Sequence, residues 1–81
     1  MTNSYYAYVL SSEEFCRYYK GHSTDPDKRL LEHNNGKVKA TKPYIPWKLV
    51  YFEEFKNRKL AIKREKYFKS AAGRRFLKNK L

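Results

Sequence analysis

Between Lys56 and Leu81 the chain carries eleven Lys or Arg residues and one acidic residue, Glu65. A helix built only for solubility mixes signs along its surface. A single carboxylate among cations is suited instead to holding a divalent ion beside a polyanion. On a wheel of about 100° per residue, Leu60, Ala61, Tyr67, Phe68 and Ala71 fall on one side. Glu65, four residues after Ala61 and three before Phe68, borders that stripe and looks along the protein body. The plainer alternative is an exposed Glu65 paired with Lys69 at i,i+4, worth about 0.3–0.5 kcal/mol. Arg64 falls near the middle of the stripe, where its stem packs and its head emerges, as a structural residue or as a phosphate contact.

The elements that must position this carboxylate follow from local pattern. Tyr5-Tyr6-Ala7-Tyr8-Val9-Leu10 is apolar on both alternating faces and reads as a central strand covered on two sides. Ser11-Ser12-Glu13-Glu14 reads as a polar connector, and Arg17 to Gly21 as a second strand forming an antiparallel hairpin with the first. Gly21 lets the backbone turn or a ligand approach. Asp25 as N-cap and Pro26 at the first position open a helix. This helix turns Leu30 and Leu31 inward and ends near Asn34-Asn35-Gly36, with Gly36 as left-handed cap. Arg29 and His33, four apart, share one of its faces; each taken alone is also an ordinary helix residue. Lys37 to Pro46 reads as a basic loop too polar for a buried element, and Trp47 to Phe55 as a third strand. Asn57 caps the helix that carries Glu65, and Gly73 separates it from a short final helix. The order β-β-α-β-α-(α) gives one small α/β or α+β domain over residues 1–81, a three-stranded sheet flanked by helices.

Composition narrows the partners. Residues 1–55 hold eight basic and seven acidic side chains, so nearly all of the net charge of +11 lies in residues 56–81. That asymmetry is an electrostatic footprint for phosphate polymers. A membrane-binding helix wants a cleaner apolar face, no run reaches the roughly 18 apolar residues of a span, and Met1-Thr2-Asn3-Ser4 does not begin a signal peptide. Cys16, the one cysteine, excludes an internal disulfide and a Cys-rich zinc site, which fits a cytoplasmic protein. So small a chain encloses no deep pocket, and its substrate is expected in a shallow groove.

With these residues in hand, a family resemblance is visible. Tyr6-Ala7-Tyr8, followed after ten residues by Tyr19-Lys20-Gly21, resembles the paired signature of the GIY-YIG nuclease superfamily. Arg29 and His33 follow on the next helix as that family arranges them, and Glu65 looks like its metal-binding glutamate. The resemblance runs from Tyr5 to Lys69 and is to the small stand-alone bacterial type, related to the nuclease domain of the excision-repair incision subunit. The chain departs from the pattern at Tyr6, Ala7 and Lys20. It also has no Asn between Glu65 and Lys78, where many members carry one, and no separate DNA-recognition domain.

The resemblance implies a mixed or antiparallel three-stranded sheet and Mg²⁺- or Mn²⁺-dependent hydrolysis of phosphodiester bonds, with DNA, or alternatively RNA, as the substrate. One Glu65 suffices, because Mg²⁺ keeps several waters and is held by one or two carboxylates plus substrate phosphate. Arg29 would stabilise the developing charge. The attacking water would lose its proton to Tyr19, Tyr8 or His33. An unperturbed phenol titrates near pH 10, so Lys20 and Arg29 would have to lower that value. The catalytic set expected is therefore Tyr8, Tyr19, Arg29, His33 and Glu65, with nucleic-acid contacts from Lys20, His22, Lys63, Arg64, Lys66 and Lys69. A basic nucleic-acid-binding module with weak or no catalysis is the competing reading.

Overall fold

The computed structural model describes residues 4–81, so Met1–Asn3, on which the signal-peptide expectation partly rests, lie outside the described residues. Three strands, β1 (Tyr5–Ser12), β2 (Arg17–Ser23) and β3 (Lys48–Phe55), form one antiparallel sheet in the order β2-β1-β3. Helix α1 (Pro26–Asn34) follows the hairpin, and α2 (Arg58–Lys69) and α3 (Ala71–Lys80) follow β3. This is the α+β order read from the sequence, with the sheet antiparallel throughout.

Strand β1 is central because both of its faces are apolar and each is covered. Ala7 and Val9 pack with Phe68 of α2 and Leu77 of α3. Tyr8 and Leu10 point the other way, onto Trp47, Tyr19 and Leu30. Burying one large apolar side chain is worth about 1.5–3 kcal/mol, so these two clusters hold the sheet between its helices.

Several expectations change once the elements are packed. Ser11 and Ser12 belong to β1, and Ser12, fully buried, donates its hydroxyl to the Tyr44 carbonyl at 2.6 Å. Two polar residues pass for a connector in sequence, yet a satisfied hydroxyl is tolerated in a strand. Leu31 points to solvent, because α1 buries only the face that carries Leu30 and His33. Leu60 is exposed and Ala71 belongs to α3, so the buried stripe of α2 narrows to Ala61 and Phe68. The basic loop is anchored rather than wholly solvated: Thr41 is buried, and Asn34 of α1 bonds both the N–H and the carbonyl of Trp47, at 2.6 and 2.9 Å.

The break between α2 and α3 falls at Ser70, not at Gly73. Ser70 ends α2 and caps α3, its hydroxyl accepting from the Gly73 N–H at 3.1 Å. Gly73 lies inside α3 because the corner leaves it no room: a Cβ there would stand 1.8 Å from the Tyr67 carbonyl oxygen. Replacing Gly73 by Ala forces the two helices apart, with an expected loss of about 1–3 kcal/mol. At this chain length that lowers Tm by about 4–8 °C per kcal/mol. Thermal unfolding of Gly73→Ala beside the exposed control Arg75→Ala checks this, and equal midpoints would refute the packing role.

Candidate active site

Tyr8 and Gly21 face each other across the β1–β2 hairpin. A Cβ at Gly21 would stand 2.7 Å from both Cζ and the hydroxyl oxygen of Tyr8. The glycine is thus required not by a turn but by the Tyr8 ring lying across it. Tyr19, opposite Leu10 on β2, shares this face, its ring centroid 6.4 Å from that of Tyr8 and 4.8 Å from that of His33.

Helix α1 supplies the next groups. Asp25 accepts from the Lys28 N–H at 3.1 Å, Pro26 starts the helix, and Gly36, at φ +77°, closes it. The turn so fixed sends His33 fully into the interior. Its Nε2 lies 3.2 Å from the Tyr8 hydroxyl and its Nδ1 2.7 Å from the Thr41 hydroxyl. Thr41 has one hydroxyl proton, directed at the Val38 carbonyl 3.3 Å away. Nδ1 therefore donates to Thr41, and Nε2 keeps its lone pair for the Tyr8 O–H; the donor inventory assigns this tautomer. Trp47 in turn donates its indole N–H to the Thr41 carbonyl at 2.9 Å, locking the loop over the histidine.

Burial, reinforced by the neighbouring Tyr19, pushes the Tyr8 phenol up to about 12, and the nearby Arg29 guanidinium does not offset this. The requirement that Lys20 and Arg29 lower a phenol is thus not met at Tyr8. Burial, and then the charge of Arg29, hold His33 below the usual histidine range, so it is neutral at pH 7. The site pairs a protonated phenol with a neutral imidazole.

Helix α2 brings Glu65 from the other side of the hairpin. Its Oε1 lies 2.6 Å from His22 Nδ1 and its Oε2 accepts from Lys69 at 2.8 Å. Burial raises its carboxyl, but the bonds from Lys69 and His22 outweigh that and leave it below the usual carboxylate range. Tyr8, Tyr19, His22, Arg29 and Glu65 line one open groove of about 450 Å³, together with Arg58. His33 does not line it; it stands behind Tyr8, to which it is hydrogen-bonded, and Tyr19.

The other residues named from the sequence lie elsewhere. Lys63 and Lys66 are exposed outside the groove, and Lys20 lies off it beside Arg74. Arg64 is committed to structure: its Nε bonds Glu53 at 2.8 Å and its guanidinium lies 4.5 and 4.8 Å from the ring centroids of Tyr67 and Phe76. Two residues had been missed. Arg58 sits seven before Glu65, and that two-turn spacing behind the Asn57 cap was a readable sign of a shared face. Thr41 had no local sign, since its burial depends on Asn34 and Trp47 across the loop.

Among the described residues no three His, Cys, Asp or Glu side chains converge as a metal cluster. The donor set that exists is one ionised carboxylate in an open groove. That suits a hard, largely hydrated ion that takes its other ligands from water and phosphate. Lys69 is more than half exposed, so its bond to Glu65 is easily given up.

Fold and groove together make a compact α+β domain with an open, carboxylate-bearing cleft beside its hairpin. The chain belongs to the GIY-YIG family: the profile described as the GIY-YIG catalytic domain matches residues 4–79. A UPF0213 protein of Bacillus licheniformis is 44% identical over 69 residues, covering 84% of this chain and 70% of the relative. One from Staphylococcus saprophyticus is 35% identical over 77 residues, covering 94% and 93%. The solution NMR structure of a UPF0213 protein from Bacillus halodurans superposes with a TM-score of 0.55 at 29% identity, covering 94% of this chain and 83% of that one.

Thr41→Val leaves the buried Nδ1–H of His33 without an acceptor and is expected to cost about 1–3 kcal/mol in denaturant unfolding, with Thr41→Ser restoring most of it. A valine variant as stable as the parent would refute the bond. His33 also predicts a pH slope. The unfolded chain protonates this group near its ordinary value of 6.5, whereas the folded chain resists. Stability is therefore fully present above that value and falls as pH drops below it. Unfolding midpoints of wild type and His33→Gln between neutral pH and about pH 5 should diverge in slope, and parallel curves would remove His33 as the source.

Proposed function

We propose that the protein is an endonuclease that hydrolyses phosphodiester bonds in DNA with the help of one divalent ion, Mg²⁺ or Mn²⁺. The observation that carries this reading is the single groove lined by Tyr8, Tyr19, Arg29 and Glu65, with His33 directly behind Tyr8. Glu65 would hold the ion once Lys69 swings away, while His22 keeps hold of the other carboxylate oxygen. The ion, when bound, supplies polarisation of a phosphoryl oxygen and eases departure of the leaving oxygen.

The remaining chemistry belongs to the chain. Arg29 borders the groove beside Tyr8 and offers a permanent positive charge to the phosphoryl oxygens as negative charge builds. With its value near 12, the phenol of Tyr8 does not ionise in advance. It acts as a relay: its oxygen takes the proton of the attacking water as its own proton passes to His33 Nε2. Thr41 holds Nδ1 protonated, so the accepting nitrogen is always the one facing Tyr8. Tyr19 lines the same groove and supplies a second phenol to orient water or phosphate.

A binding module without catalysis is the second reading, favoured by the engagement of both Glu65 oxygens by His22 and Lys69. One comparison separates the two. Plasmid and branched-DNA nicking with Mg²⁺ or Mn²⁺ is expected for wild type. It should fall by about 10²–10³-fold in Glu65→Gln and by about 10²–10⁴-fold in Tyr8→Phe. Wild type that binds DNA with strong salt dependence but never cuts under any divalent condition would overturn the nuclease reading and leave the binding one.

A further inference from the structure

A second groove lies further along β2, on the face that also carries His22 and away from the one that carries Tyr19 and Gly21. It is about 310 Å³ and is lined by Tyr18 and Lys20 of β2 and by Arg74, Leu77 and Lys78 of α3, together with Leu81. Its floor is apolar, its rim carries three cations, and no Asp or Glu side chain borders it. Tyr18 is 53% exposed at the entrance, with only the Lys20 ammonium, 6.0 Å from the ring centroid, recorded over its face. Like charges crowd here: burial, and then Arg74 and Lys69, push the Lys20 ammonium below the usual lysine value. Such crowding is relieved by an anion.

The alternation of β2 connects the two grooves. Tyr18, Lys20 and His22 project from one face of the strand, successive ones about 7 Å apart. His22 bonds Glu65, and Lys69 bonds the same carboxylate. A polyanion strand laid along this edge would run from Tyr18 and Arg74, past Lys20 and Lys69, to Glu65.

We propose that the groove between β2 and α3 is a nucleotide subsite for a single nucleic-acid strand. An unpaired base stacks on Tyr18 over the apolar floor, and Lys20, Arg74 and Lys78 hold the flanking phosphates. A base on an aromatic ring beside a cationic track is how single strands are gripped without sequence preference. Apolar floor and cationic rim match the two halves of a nucleotide; a sulfated sugar polymer would leave the ring and floor unused. The proposal rests on the nuclease reading for its purpose, but its binding is measurable without cleavage.

The test is fluorescence anisotropy of the full chain with a labelled single-stranded oligonucleotide in EDTA, with heparin and anionic phospholipid vesicles as base-free polyanions. Tyr18→Ala is expected to weaken oligonucleotide binding by about 5- to 150-fold, Tyr18→Phe to retain it, and heparin binding to be unchanged in both. Arg74→Ala should lower the slope of log K against log [salt] by about 1. If Tyr18→Ala binds the oligonucleotide as wild type does, or if heparin or vesicles bind as tightly as the oligonucleotide, the subsite is overturned. Binding that depends on Tyr18 in a protein that never cuts would remove the nuclease reading alone. Cleavage with binding indifferent to Tyr18 and Arg74 would remove the subsite alone.

Discussion

The structure depends on a phenol driven into the middle of a sheet. Tyr8 is almost wholly buried, its ring lies across the bare backbone of Gly21, and its hydroxyl meets the lone pair of His33. A buried hydroxyl without a partner costs several kcal/mol, so the ring can occupy the centre of the fold only while the imidazole stands beside it. The imidazole in turn needs Thr41, and Thr41 needs the loop that Asn34 and Trp47 hold down. A chain of hydrogen bonds thus runs from the groove at Tyr8 to the loop held by Trp47, and each link fixes the donor or acceptor state of the next.

Charge is handled on the other side of the sheet. Most of the cations of the C-terminal segment stand exposed, but two of its side chains are tied to carboxylates. Arg64 closes on Glu53 over aromatic rings and helps join α2 to β3, while Lys69 rests on Glu65. The two pairs differ in kind. Arg64 is half-buried against rings and cannot leave without exposing them; Lys69 stands largely in solvent, in a pair of a kind worth well under 1 kcal/mol. A carboxylate kept ionised by a removable cation is available to another cation, and the proposed ion is therefore assigned to Glu65 rather than to Glu53.

Much of this was legible in sequence because it was local. The cap at Asp25-Pro26, the left-handed Gly36, the apolar run of β1 and the four-residue spacing of Arg29 and His33 each have a cause within a few residues. The family signature added Tyr8, Tyr19 and Glu65, and the groove gathers those three with Arg29. What could not be read was set by partners distant in the chain. Thr41 is buried by Asn34 and Trp47, the break at Ser70 is imposed by the Tyr67 carbonyl pressing on Gly73, and Leu31 is exposed because nothing covers that side of α1. Arg64 shows the same limit: its place on the helix was readable, but Glu53, eleven residues upstream, decides what it does there.

The β1–β2 pairing holds one more lesson. Tyr18 and Tyr19 are identical neighbours on opposite faces of β2, so a hairpin zipped one position out of step would still offer a tyrosine on each side. Apolar pattern alone would scarcely object to that mistake. Gly21 does: a shift in either direction slides Lys20 or His22 against the Tyr8 phenol, where even one methyl group is too much. The smallest residue in the hairpin thereby proofreads its alignment, rejecting by volume an error that hydrophobicity would let pass.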